Sequence, residues 1–289
     1  MSEYELPLVF FTVLCQWAVG SIVAITLLCL NCPEWLSDNV LFNKLRKMAV
    51  AVLLVNIVGS MLSLLHLGSP TGAYRAVLGI SHSWLSREVI AFFLLNGVVV
   101  LWAAIFFRFN QNRGLVKAIS IVASIAGLAA ILVSAQVYYQ MASHPMWHSM
   151  VTHLSFVATA LLLGFVTVSL MVAVNNPIDR GVTRKVPAFL LVGVIVSVLL
   201  ILAVVLWYAT GFNGQGQMLH SAIAVFGSGL LGWLIVAGLI VGAVIATYLY
   251  KQPALSTATA SLAMLLVLSA AVCARMLFYS GVMSQHPWF

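Results

Sequence analysis

The chain has 289 residues, 63% of them hydrophobic and only 7% charged, where a soluble domain carries about 25% charged residues. An ordinary soluble enzyme is excluded by that balance. Thirteen Lys and Arg against six Asp and Glu leave a net charge of +7, too thinly spread to point to nucleic acid before its placement along the chain is known.

Apolar runs occur near residues 7–29, 47–67, 86–107, 115–139, 150–174, 187–209, 220–249 and 255–279. Each is long enough to cross about 30 Å of hydrocarbon as a helix of roughly 20 residues. Backbone polar groups in lipid must be satisfied within their own segment, so the runs predict helices rather than loops or open sheet. No polar stretch between them is long enough for a separate domain of the usual size. The expectation is an all-α, polytopic integral membrane bundle of eight transmembrane helices, forming a single domain over residues 1–289. The first run follows Glu3 and Glu5, not a basic segment, and is longer than the apolar core of a signal peptide, so it is expected to be a retained helix.

The connections after the first, third, fifth and seventh runs carry Lys44, Arg46, Lys47, Arg108, Arg113, Lys117, Arg180, Arg184, Lys185 and Lys251, and the opposite side carries only Arg75, Arg87 and Arg275. Cations are retained on the cytoplasmic side during insertion. Both termini are therefore expected outside, in the periplasm. In that frame His66, His82, His144, His148, His153, His220 and His286 all lie at or near the outer face.

That one-sidedness bears on haem, which membrane cytochromes hold between imidazoles of neighbouring helices. A two-haem path across the bilayer has no ligands in the inner half, and a single outer b-haem would require two of His66, His153 and His220 to face one another. Cys29-x-x-Cys32 has redox or metal spacing but no second pair beside it, and the four cysteines read as small apolar residues. His144-x-x-x-His148 is interrupted by Pro145 and has no nearby acid, so no metal site is expected. Gly227-x-Gly229-x-x-Gly232 matches a dinucleotide fingerprint in letters only, because it falls within the seventh apolar run and lacks a preceding strand. With Gly238-x-x-x-Gly242 it reads as a face for close helix approach.

The stretch joining the second and third runs holds the most chemistry. His66-Leu67-Gly68-Ser69-Pro70 closes one run and Ser86-Arg87-Glu88 opens the next, and antiparallel neighbours put His66 and Glu88 at one depth. Glu88 is the one acid close to hydrocarbon; Glu3, Glu5, Glu34, Asp38 and Asp179 lie in termini or connections. Intramembrane ionisable groups are costly and mark function, although a carboxylate in a first helical turn also suits the helix dipole. Arg275 is the third ionisable group at depth. It either snorkels to headgroups or pairs with Glu88 or a ligand oxygen.

These motifs carry a resemblance over the whole chain. Pro7 to Leu14 followed by Gln16, the run His66 to Pro70, Ser86-x-Glu88, and Arg275-x-x-Phe278-Tyr279 resemble the membrane-anchor subunit of dimethyl-sulfoxide-reductase-type molybdoenzymes. The resemblance implies a haem-free, metal-free anchor in a bacterial inner membrane. Such an anchor oxidises menaquinol from the quinol pool to menaquinone in anaerobic respiration. It passes electrons to an iron–sulfur subunit feeding a molybdopterin catalytic subunit, both docked on the outer face, so that terminal reductase activity resides in a partner chain. It implies a quinol site at His66 and Glu88, and the expected pocket comprises His66, Gly68, Ser69, Arg87, Glu88, Arg275 and Tyr279. His66, as an imidazole titrating near neutrality, would take one proton, and Glu88 would take the other or orient a relay. Arg87 departs from the family pattern, which has a polar amide there. Tyr138, Tyr139, Trp147 and residues 68–85 are expected to meet the partner. A b-haem cytochrome, a multi-span transporter and a purely structural tether are the alternatives; a transporter would need ionisable or broken-helix positions at mid-depth.

Overall fold

The computed structural model describes residues 6–66, 74, 78–108, 112–144, 146–174, 186–210, 229–252 and 254–283, with backbone alone for 64–66, 209–210 and 280–283. Eight long helices account for nearly all of it: α1 (Leu6–Asn31), α2 (Asn39–His66), α3 (Trp84–Arg108), α4 (Arg113–Tyr139), α5 (Met150–Ala173), α6 (Ala188–Thr210), α7 (Leu230–Lys251) and α8 (Thr257–Met283). All eight are long and apolar enough to cross a membrane. A single helical turn, Glu34–Ser37, lies between α1 and α2.

Capping chemistry sets where several helices begin. α2 starts at Asn39 rather than near residue 47, because the Asp38 carboxylate accepts the backbone N–H groups of Val40 and Leu41, satisfying donors that no helical carbonyl reaches. Lys44, Arg46 and Lys47 therefore sit on the first turns of α2, not in a loop. Asn112 caps α4 by accepting from Leu115 N–H, Ser149 caps α5 from Val151 N–H, and Ser256 caps α8 from Thr259 N–H. Gly229 is the residue preceding α7, so the glycine triplet straddles a helix start; Gly227 lies outside the described residues.

The packing forms two four-helix rings. α1 touches α2, α2 touches α3, α3 touches α4 and α4 returns to α1; α5 to α8 repeat this closure. The rings meet where α1 and α4 pack on α5, and α8 on α1. α1 and α5 are consequently the most buried spans. Their backbones meet directly. A Cβ at Gly20 would collide with the Ala160 carbonyl, and one at Gly164 with the Gly20 backbone, the close approach that small residues allow between membrane helices. Of the glycines expected to form a close face on α7, Gly238 does so, since a Cβ there would collide with Ala270 of α8, while one at Gly242 would make ordinary contacts only.

Interhelical side-chain hydrogen bonds fix register. Trp17 Nε1 donates to Thr167 Oγ1 at 2.7 Å between α1 and α5. Asn96 Nδ2 donates to Ser60 Oγ at 2.8 Å, and Asn56 Nδ2 to Asn96 Oδ1 at 2.8 Å, between α2 and α3. Such bonds contribute roughly 0.6 kcal/mol each in membrane bundles. Cations close the C-terminal carbonyls of two helices, with Arg46 Nε on Phe106 O and Lys44 Nζ on Val174 O, where the helix dipole favours positive charge.

A buried carboxylate and arginine at one end of the bundle

α1, α3, α5 and α7 begin, and α2, α4, α6 and α8 end, at the same end of the bundle, and the polar core lies there. Glu88 is on the second turn of α3, since that helix begins four residues earlier at Trp84. A first-turn dipole site therefore does not account for it. It is 6% exposed, and its Oε1 accepts from the Ser134 hydroxyl of α4 at 2.5 Å. Four residues further along α4, one helical turn, the Tyr138 hydroxyl meets the Tyr279 hydroxyl of α8 at 2.9 Å. One turn back along α8 is Arg275, only 4% exposed, whose NH2 donates to Gln16 Oε1 of α1 at 3.3 Å. The i, i+4 spacing on α4 and on α8 puts both members of each pair on one helix face, so four helices contribute to one buried polar strip. Glu88 lies within Coulombic range of Tyr138, Tyr279 and Cys15, as Arg275 does of Tyr138, Tyr208 and Tyr279.

Two of the three expectations for Arg275 are not met. It does not snorkel, because it is enclosed by the bundle, and it does not pair with Glu88, because one takes Gln16 and the other Ser134. Its guanidinium carbon stands 3.8 Å from the Phe156 ring centroid and 5.0 Å from that of Phe278, a cation–π cradle. Its Nε and NH1, and Gln16 Nε2, are buried without a hydrogen-bond partner among the described residues. A cavity of about 50 Å³ adjoins Arg275, lined also by Ser155, Thr159, Tyr208 and Phe278. That volume accommodates a water or two and is too small for a quinone ring.

The remaining expected residues are placed as follows. α2 ends at His66, and the bonds from Asn96 to Asn56 and Ser60 set a register that brings this end level with Glu88. Gly68 and Ser69 lie outside the described residues. Arg87 turns away from its neighbour Glu88: Nε and NH2 donate to Ile80 O and Ser81 O, both at 2.9 Å, and the guanidinium stacks 4.4 Å over Trp84. It secures the turn leading into α3. Tyr279 is buried and bonded to Tyr138 as described. Tyr138 itself is enclosed by Trp147, Phe156, Phe278 and Tyr279, so it belongs to the core and not to a docking surface. Trp147 is half-buried, donating to Phe278 O. His153 Nε2 is 2.9 Å from Gln136 Oε1, and His148 stacks on Tyr139; His220 and His286 lie outside the described residues. The four cysteines are free and buried, and burial together with the Glu34 carboxylate pushes the Cys32 thiol up to about 11, against thiolate chemistry.

Ser134 and Gln136 are not apparent as functional residues in the sequence. The available signal is the i, i+4 pair Ser134 and Tyr138 at the end of an apolar helix, aligned with Arg275 and Tyr279 at the end of another.

An eight-span helical bundle with an acid and a base sealed into one end defines a multi-pass membrane protein with an intramembrane polar site. Residues 1–281 match the family model described as DMSO reductase anchor subunit (DmsC), and the chain belongs to that family. It is 33% identical over 223 residues to an anaerobic dimethyl sulfoxide reductase chain of Haemophilus influenzae, covering 76% of this chain and 74% of the relative. It is 31% identical over 164 residues to the anaerobic dimethyl sulfoxide reductase chain YnfH of Escherichia coli K12, covering 56% and 55%. A third relative, a sulfite dehydrogenase subunit of Allochromatium vinosum, is 29% identical over 141 residues, covering 45% and 43%.

Proposed function

We propose that this chain binds menaquinol beside Glu88, oxidises it, and delivers the electrons to an iron–sulfur subunit of a molybdopterin oxidoreductase docked on the same face. The observation that carries the reading is Glu88, a carboxylate enclosed in a membrane span, hydrogen-bonded to Ser134 and level with the helix end that bears His66. Oxidation of a quinol releases two protons and two electrons. The electrons leave for the partner's clusters, and the protons require acceptors at the two hydroxyl groups. Glu88, held by Ser134, accepts one, and His66 accepts the other. Arg275, with two donors unfilled beside a water-sized cavity, holds ordered water within the bundle. The quinol ring is not accommodated there, so Arg275 and Tyr279 act behind the ring and not on it. Arg87 shapes the pocket by fixing the turn before α3.

The reading places the chain in a bacterial inner membrane with Lys44, Arg46 and Lys47 inside and both termini outside, in line with the bacterial source of the three relatives. The substrate of the whole complex is set by its catalytic chain, since relatives of this one carry the names of a dimethyl sulfoxide reductase and a sulfite dehydrogenase. No metal or haem is required of this chain. A haem ligated through His153 Nε2 would require that imidazole to give up Gln136, and mid-depth Asn56 and Asn96 are neutral and bonded to each other, unlike an ion-coupling site.

Binding tests the site separately from turnover. Fluorescence quenching of a quinol-analogue inhibitor by membranes carrying the assembled complex should saturate with wild type. Affinity should weaken on the order of 10-fold or more in Glu88→Gln and in His66→Leu, each of which alters a group that hydrogen-bonds the ligand. Wild-type affinity in both variants would move the site elsewhere.

A further inference from the structure

We propose that the groove between α2, α5 and α8, at the end of the bundle opposite Glu88, is a binding site for one anionic phospholipid. The groove has a volume of about 500 Å³, within the range of specific ligand sites. Its polarity is arranged along the membrane normal. At the rim stand Lys44 and Lys47 on the first turns of α2, facing Thr257 and Ser261 on the first turns of α8. Inward of Lys44, Val174 and Thr257 the walls are Met48, Leu170 and Met264, with Ala51 about two turns inside Lys44 and Thr167 one turn beyond Leu170 on α5, at about 1.5 Å per residue along each helix.

Three features select an anionic headgroup with an acyl chain. Among the described residues no carboxylate lines the groove, and the first turn of α8 contains no acid, so the α8 N-terminus and two ammonium groups face it, against one helix C-terminus at Val174 that Lys44 caps. Lys44 is held in place by its bond to Val174 O, which keeps its cation at the end of α5 beside the groove. The apolar body continues inward from the cations, so it matches a hydrocarbon chain whose phosphate sits at the rim; a free phosphate would leave that body unfilled. Basic pockets between membrane helices bind anionic headgroups in this way. A quinol is disfavoured, because the described lining offers cations and hydroxyls but no carboxylate or imidazole to accept its protons.

The test is native mass spectrometry of the full chain, delipidated in non-ionic detergent and titrated with phosphatidylglycerol or with phosphatidylcholine of the same chain length. One phosphatidylglycerol should be retained at a concentration about 10-fold or more below that needed for phosphatidylcholine. Lys44→Gln with Lys47→Gln should abolish the preference, and Lys44→Arg with Lys47→Arg should keep it. Ala51→Trp, on an exposed position that leaves both charges in place, should reduce retention of either lipid by filling the groove. Equal retention of the two lipids by wild type would overturn the proposal. So would unchanged phosphatidylglycerol retention in Ala51→Trp, or displacement of the lipid by added menaquinone. Because these readings use no turnover, they are independent of the quinol reading.

Discussion

Glu88 and Ser134 illustrate how a membrane interior makes one hydrogen bond matter. A buried carboxylate without donors would carry a large desolvation cost, and the Ser134 hydroxyl is the donor that the surrounding helices supply. Bonds to charged groups contribute about 1.5–3 kcal/mol, so Ser134→Ala should slow quinol oxidation by on the order of 10-fold or more while Ser134→Thr restores most of it. The measurement is the quinol-driven rate of the assembled complex, with thermal stability in detergent as the control for folding. A rate unchanged in Ser134→Ala would show that Glu88 needs no orientation for its task. Arg275 differs in kind. Its charge is stabilised by the faces of Phe156 and Phe278 and by Gln16, a planar stacking that a lysine ammonium does not reproduce.

At the scale of the helices, the joint between the two rings rests on Gly20 and Gly164. Overpacking an ordinary core costs about 1–3 kcal/mol; here the added atoms would meet backbone, which has no rotamer to yield. Gly164→Val should therefore lower the melting temperature of the purified chain and reduce its yield in membranes. Gly97→Val, where nothing lies within 4 Å of the added Cβ, should leave both nearly unchanged. Comparable losses in the two variants would argue against the α1–α5 contact. The eight helices are legible in the sequence because crossing hydrocarbon demands a long apolar run whatever the neighbours are. The start of α2 is not, because Asp38 starts that helix well ahead of its apolar run and carries it through Lys44, Arg46 and Lys47. The shared depth of His66 and Glu88 follows from antiparallel connection alone. The partners of Glu88 and Arg275 do not, since a serine or glutamine in an apolar helix leaves hydropathy nearly unchanged and only packing decides which helix it faces. The Gly20 and Gly164 contact escapes for the same reason: it joins helices far apart in the chain.

For the whole molecule, charge and chemistry separate to opposite ends. Lys44, Lys47 and Lys251 lie at one end and Glu88, Arg275 and the tyrosine pair at the other, from which the positive-inside tendency predicts that the buried site faces outward. Reporter fusions at Gly114 and after Phe289 check this: a periplasm-dependent reporter should be active at Phe289 and silent at Gly114, and the reverse pattern would invert the side of the chemistry. Acting at the outer face, the site would release its protons there while electrons pass directly to docked partners, so the chain would join the quinol pool to a soluble catalyst without a metal of its own.

The most direct measurement compares two electron sources on one preparation. In the assembled complex, Glu88→Gln keeps the size and shape of the side chain while removing its charge and basicity, and His66→Leu removes both the hydrogen bonding and the basicity of the imidazole. Quinol-driven reduction of the terminal acceptor should fall by on the order of 10² in each, the scale of lost general-base catalysis. Reduction driven by an artificial dye that donates straight to the partner subunits should stay at the wild-type rate. Wild-type quinol turnover in both variants, with the dye-driven rate intact, would contradict the assignment of quinol oxidation to this end of α2 and α3.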